Sequence, residues 1–435
     1  MVRIKAASPR LISAMGCSLF FAYILSFVFE GQVLYSLLGS FGIETFMYLV
    51  IAMAAHLLGL LSCGFFVKSP GVVRHVMVAS MGLCAAATAP FFFGPSPLWL
   101  VGLIVSGYAS GCVVASFGYL LKLLAPKCER LKACADVLIY SSVAMIATNA
   151  VVVNISATFG LALSLAGVVL GMVLIWALPV QSMTEEREKA DHKRNQDSGI
   201  KQPLLLLALF VLIITINSGL MYQVINPAFG HLAGLASWYW AVPYIAALIA
   251  MRNLPSKIRR ANALYVGMAM ITAAFISFMI LGRNALDYLI VDTLMLGACG
   301  IFDLFWWSIL AEMLDFTDRP VRIFGLGLAA NVLGVLAGDV LGRHLVSLQL
   351  SDAEVAVVAL TIVSVTVAML PILNRRLVML LESNAYLMVF GTMSKPQQTA
   401  VIAQSPAHDP LTAREQEVLE VLLAGKSTRE IAAEL

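Results

Sequence analysis

The sequence predicts an all-α membrane protein with twelve transmembrane helices in two six-helix halves, followed by a short soluble helical module at the C-terminus. Three observations carry this reading. Of the 435 residues, 60% are hydrophobic and only 12% are charged, with a mean hydropathy of +0.90, a balance that excludes a water-soluble globular chain. Apolar runs of about 20 residues, the length that crosses a hydrocarbon core, recur along the sequence. One strongly charged stretch, EEREKADHKRNQDSGIK within 181–202, divides these runs six from six and reads as a solvated linker.

Taken in order, the runs place spans at 11–29, 44–66, 71–92, 97–120, 134–153, 157–180, 204–225, 233–251, 262–281, 286–311, 322–346 and 353–373. The first follows three basic residues, as a signal peptide would, but no small-residue cleavage pattern closes it, so it is expected to stay in the mature chain. The corresponding organisation is a first half over 1–180, a loop over 181–203, a second half over 204–376, a juxtamembrane helix and linker over 377–408, and a terminal module over 409–435. An even number of spans leaves both ends on one side. With the N-terminus cytoplasmic, the inner segments carry 22 Lys and Arg, against only Arg283 and Arg343 outside. Basic residues are retained on the cytoplasmic side, so this asymmetry orients the bundle in a bacterial inner membrane with both termini inside. The net charge of +3 follows from that topology and need not imply nucleic acid. The seven cysteines are scattered, mostly within apolar runs, with neither metal-ligand spacing nor a disulfide framework.

Polar side chains at membrane depth are costly and mark candidate sites. In span ten, Asp292 and Asp303 are eleven residues apart, about three turns, and so share a face; Trp306 and Trp307 follow a turn later. Two readings stand side by side: a cavity in which carboxylates and rings engage an organic ligand, or an Asp303 that ties the bundle to a neighbouring helix. Span seven carries Asn217, Tyr222, Gln223 and Asn226, and Gly219 and Pro227 interrupt it. Broken helices of this kind offer polar backbone groups to a cavity. Asn331 lies deep in span eleven, where Asp339 and Arg343 are spaced to form an i, i+4 ion pair. His56 in span two reads as a neutral histidine bonded to a neighbouring helix, or as a pH-responsive ligand group. Glu30 and Glu44 read as interfacial, and Glu312 and Asp315 as lying near water at the inner end of span ten. No phosphate loop, nucleophile elbow, clustered His or Cys ligands or dinucleotide fingerprint occurs, so no enzyme activity, cofactor or metal is expected.

The segments Val67 to His75 (VKSPGVVRH) and Met251 to Ala261 (MRNLPSKIRRA) are short, basic, proline-containing loops at matching places in the two halves. With the six-plus-six layout and charged central loop, they resemble the major facilitator fold over roughly residues 10 to 375. That resemblance implies a site near the bilayer midplane between the halves. The loop after the second span lacks the family's customary Asp, which argues against ordinary proton-coupled transport.

After Pro371, expected to end span twelve, residues 377–390 read as a helix lying along the interface and 391–410 as a flexible tether. The terminal string is helical again. Thr412 with Glu415, and Ser427 with Glu430, make two capping boxes; Val418, Leu419, Leu422 and Leu423 supply a buried stripe; Gly425 ends the first helix. Leu411, Thr412, Arg414, Glu415, Glu417, Val418, Leu419, Gly425, Ile431, Ala432 and Leu435 resemble the start of the LuxR-type (GerE-like) helix-turn-helix, with LTxRExEVL in its first helix and IAxxL in its second. The resemblance implies that Thr412, Arg414, Glu415, Glu417 and Ser427 act as caps and scaffold. It also implies that the recognition helix, which reads bases in the major groove, lies beyond Leu435. Asp409 to Leu435 carries six acids and three bases, a poor surface for phosphate. This stretch is therefore expected to contain no base-reading residue, and promoter DNA to be a partner only of a longer product.

Together these readings predict a membrane-embedded sensor of a small organic molecule, aromatic ones included, that signals to a tethered DNA-binding domain, with the bilayer as partner and a homodimer as an open alternative to a single copy. The alternative is a secondary transporter with a vestigial tail.

Overall fold

The computed structural model describes residues 8–29, 31–67, 69–178, 200–254, 260–392 and Val418. Among these are twelve helical spans long and apolar enough to cross a membrane: α1 (Pro9–Ser40), α2 (Phe46–Phe66), α3 (Gly71–Phe92), α4 (Pro97–Leu124), α5 (Arg130–Asn154), α6 (Ala157–Trp176), α7 (Lys201–Ala228), α8 (Gly230–Arg252), α9 (Asn262–Ile280), α10 (Ala285–Phe316), α11 (Pro320–Ser347) and α12 (Asp352–Leu373). Each overlaps the span expected from the sequence. The helices start where chain chemistry favours it: Pro opens the first turn of α4 and α11, where a missing N–H costs nothing, and Asn284 with Asp287 closes a capping box at the start of α10.

Two boundaries differ from expectation. Span α1 runs on to Ser40, through a π-helical turn at Ile24–Val28 and a break before a second helical piece, Gln32–Ser40. Gly31 makes the break possible, since a Cβ there would lie 2.0 Å from the Ser26 carbonyl. At the other end, Pro371 does not stop α12. The helix continues as one rod over Asp352–Thr392, absorbing the separate interfacial helix expected at 377–390, because neighbouring residues of a membrane helix tolerate the loss of one N–H. The charged linker within 181–199, the tether from 393, and Thr412, Arg414, Glu415, Glu417, Leu419, Gly425, Ser427 and Ile431 lie outside the described residues. Val418 alone of the terminal module is described, and it is helical.

The packing repeats with a period of six spans. Contacts of α1 with α5 and α6, α2 with α4, and α3 with α4 and α6 recur as α7 with α11 and α12, α8 with α10, and α9 with α10 and α12. Across the middle, α2 meets α11 and α5 meets α8, and likewise α4 meets α11 and α5 meets α10. Each of these contacts maps onto its partner when the halves are exchanged, which is how two related bundles pack about an internal two-fold axis.

Lys and Arg gather at one end of the bundle, called here the basic end. There Arg10 pairs with Glu129, Arg252 with Asp136 at 2.7 Å, and Arg130 with Asp315 at 2.7 Å. The last two pairs join the halves. Asp315 is thus not simply a group near water; it is the counter-charge of a buried arginine.

Candidate functional site

Between the halves lies a cavity of about 250 Å³. Its walls come from α1, α2, α4 and α5 of the first half and from α7, α8, α10 and α11 of the second. The π-helical turns shape it symmetrically. Ile24–Val28 in α1 and Met221–Ile225 in α7 occupy equivalent places in the two halves, and Ile24, Leu25, Met221 and Tyr222 face the space. Such turns are rare and cluster at functional sites. The interruption foreseen in span seven is therefore real, and α1 carries its counterpart.

Of the eight residues expected to bind ligand, Asp303, Trp307, Tyr222, Asn331 and His56 line the cavity. Asp292, Trp306 and Asn217 do not. Asp292 shares a face with Asp303 but not its depth: Leu296, Cys299, Asp303 and Trp307 trace the wall, and Asp292 lies a turn beyond, 5% exposed. Trp306 is rotated about 100° from Trp307 by the helical repeat and stacks on Phe302 with ring centroids 6.5 Å apart. Asn217 is fully buried next to Ser218, which does reach the cavity, and among the described residues its amide has no hydrogen-bond partner.

Asp303 accepts a 2.7 Å hydrogen bond from the Tyr244 hydroxyl of α8. His56 Nδ1 lies 2.7 Å from Ser110 Oγ, and its ring meets Phe29 edge-on at 4.5 Å between centroids. Toward the basic end the floor is aromatic. Trp307 meets Phe21 and Phe324 edge-to-face at 5.9 and 5.3 Å, with Phe117 completing the cluster at 6.0 Å. These four rings come from α1, α4, α10 and α11, so the floor itself joins the halves.

The ion pair expected within α11 does not form as drawn. Arg343 reaches Glu44, before α2, with both side chains exposed, and its guanidinium also lies 4.2 Å from the Phe46 ring centroid. Asp339 is buried and accepts from Gln223 at 3.4 Å. Helical spacing permitted the i, i+4 pair, but a long side chain near a helix end extends toward water. Glu44 is therefore a partner across the halves as well as an interfacial residue.

Comparison with known proteins matches these two regions separately. Residues 409–435 match the family of bacterial regulatory proteins called the luxR family, GerE. No curated protein sequence matches the chain. Three solved transporters share the membrane architecture. They are the major facilitator superfamily transporter FucP in the outward conformation (14% identity, 84% of this chain and 98% of that one, TM-score 0.58), the human organic anion transporter MFSD10, TETRAN (14%, 85% and 98%, 0.61), and the proton:xylose symporter XylE bound to 6-bromo-6-deoxy-D-glucose (13%, 82% and 93%, 0.64). The chain joins a major-facilitator-like membrane domain to a LuxR-family fragment. At these identities the likeness to the transporters is one of fold.

Within this major-facilitator-like domain, sequence reading missed Tyr244, Trp240, Ser141, Ser142 and Cys299. The signal for Tyr244 was present in the run SWYWAVPY, which sets Trp240 and Tyr244 one helical turn apart. No feature of the sequence pairs that tyrosine with Asp303, 59 positions away.

Proposed function

We propose that this protein is a one-component membrane regulator: a small organic molecule enters the cavity between the halves, shifts their relative position, and through α12 changes the dimerisation or reach of a LuxR-type DNA-binding domain. The observation that carries this reading is the luxR-family match at 409–435 on the same chain as a twelve-span domain with a cavity walled by both halves. A ligand acts this way only if it binds one arrangement of the halves better than the other. A cavity to which eight spans from both halves contribute meets that requirement, because any relative movement changes its shape. In this reading the basic end and both termini face the bacterial cytoplasm, and the ligand arrives from the opposite face. DNA contact is not assigned to the matched segment itself, whose six acids and three bases over 409–435 make a poor surface for phosphate.

The test is a transcriptional reporter in cells expressing the protein, exposed to a panel of small molecules. Ligand-dependent transcription that is lost on Trp307→Ala supports the reading, and transcription indifferent to every compound overturns it. The fold shared with FucP, MFSD10 and XylE favours a second reading, secondary transport. Accumulation of a labelled compound in vesicles, abolished by Asp303→Asn, would select it.

A further inference from the structure

We infer that the central cavity is built for a small aromatic cation, with Asp303 as its counter-charge; this deepens the reading of the cavity as a ligand site and rests on it. The argument begins with the charges. Among the described residues lining the cavity, Asp303 is the one acid and none is Lys or Arg. The half-buried carboxylates at the basic end have such partners: Asp136 meets Arg252 and Arg10, and Asp315 meets Arg130 and Lys127. Asp303 has Tyr244 instead, whose hydroxyl donates to Oδ2. Among the described residues no donor is bonded to Oδ1. A carboxylate drawn out of water with one neutral donor is poorly compensated, and a ligand cation supplies what the protein withholds.

The hydrogen-bonding groups around it agree. Ser110 directs its single proton to the Gly107 carbonyl at 2.7 Å. It can therefore only accept from His56, which fixes the proton of that ring on Nδ1 and leaves Nε2 as an acceptor. Ser141 and Ser142 both direct their protons to the Leu138 carbonyl, at 3.0 and 2.8 Å, and Tyr244 directs its own to Asp303. The hydroxyls of Ser110, Ser141, Ser142 and Tyr244 are thus committed as donors within the protein, which leaves the Asn331 amide and the Trp240 and Trp307 indoles as neutral donors on the wall. An organic anion would meet a like charge and no cationic partner among these groups. A protonated amine meets a carboxylate, His56 and the rings of Trp307, Trp240 and Tyr222, a setting that favours cations and rings alike.

The experiment is calorimetric titration of the purified chain in lipid nanodiscs with three probes of one shape: 2-phenylethylamine, 2-phenylethanol and phenylacetate. In the unsubstituted protein the amine should bind at least about tenfold tighter than the alcohol and about a hundredfold tighter than the acid. Asp303→Asn should bring amine and alcohol within about twofold of one another and leave the alcohol's own affinity within about threefold. Tyr244→Phe, which keeps the carboxylate and removes its donor, should retain the amine's advantage in full. The series in the unsubstituted protein decides the matter even if a variant fails to fold. An acid bound as tightly as the amine, or an amine advantage that survives Asp303→Asn, overturns the charge assignment and leaves the cavity standing as a ligand site. Absence of binding by all three overturns both.

Discussion

At the basic end, Arg130 is 1% exposed and holds three groups at once: the Ala311 carbonyl at 2.9 Å, Asp315 at 2.7 Å and, more weakly, the Ala125 carbonyl at 3.3 Å. At the opposite end, the halves are linked by Arg343 and Glu44, whose side chains are 47% and 65% exposed. Both are arginine–carboxylate pairs across the same divide, yet they differ in what surrounds them. Solvent screens this exposed pair and competes for both partners, so it contributes little to holding the halves together. The buried pair cannot lose one partner without stranding the other in a low dielectric. Beneath it the Phe21, Phe117, Trp307 and Phe324 floor adds apolar contact between halves. The bundle is thus bolted at one end and only latched at the other, and any relative movement of the halves works against unequal resistance.

The largest effect expected from breaking this asymmetry is at Arg130. Arg130→Met preserves most of the stem's packing but strands Asp315 and the Ala311 carbonyl, at a cost of about 3–5 kcal/mol of stability. Lys127, 3.9 Å from Asp315, offsets part of it, so the loss should fall toward the lower bound. Unfolding of the detergent-solubilised protein measures it. The double substitution Arg130→Met with Asp315→Leu should recover at least half of the loss, because it removes the stranded charge and leaves only the Ala311 carbonyl short of its arginine donor. If the double variant is as unstable as the single one, packing rather than charge closes this end.

A smaller effect is expected where the helices themselves touch. A Cβ on Gly325 of α11 would lie 2.4 Å from the Leu60 carbonyl of α2, so the two halves meet here backbone to backbone, as small residues allow in membrane bundles. Gly325→Val should force them apart at a cost of about 1–3 kcal/mol. Thiol labelling of a cysteine introduced at Leu60 reports the opening, and it should label faster in the Gly325→Val background. Unchanged labelling would place the seal elsewhere.

What the sequence made legible follows from the range over which each interaction acts. Twelve spans could be read because a membrane crossing is a local property of about 20 residues, and the irregular stretch of α7 because Gly219 and Pro227 flank it. Asp303, His56 and Trp307 stood out because polar or bulky groups at membrane depth are conspicuous against Leu and Val. The ion pairs did not stand out. Arg130 meets Asp315 across 185 positions and Arg343 meets Glu44 across 299, whereas a sequence offers only neighbours, and Asp339 was the nearest acid to Arg343. Face could be read from spacing, but depth along the helix could not, which is why Asp292 was grouped with Asp303. The break after Phe29 has the same character: Gly31 is one of 31 glycines, and only the fold reveals that its missing Cβ makes room for the Ser26 carbonyl.

The smallest effect belongs to the outer latch. Arg343→Met removes the bond to Glu44 and the contact of the guanidinium with Phe46, 4.2 Å from its ring centroid. With both charges largely in water, the cost should be no more than about 1 kcal/mol, and raising the salt concentration should shrink it further. Measured beside Arg130→Met under the same conditions, the two should differ at least threefold in lost stability, and only the exposed pair should show the salt dependence. An Arg343→Met variant as damaged as Arg130→Met would mean that the opposite end carries a comparable share of the closure. The halves would then be clamped symmetrically, and a ligand in the cavity could not open one end in preference to the other.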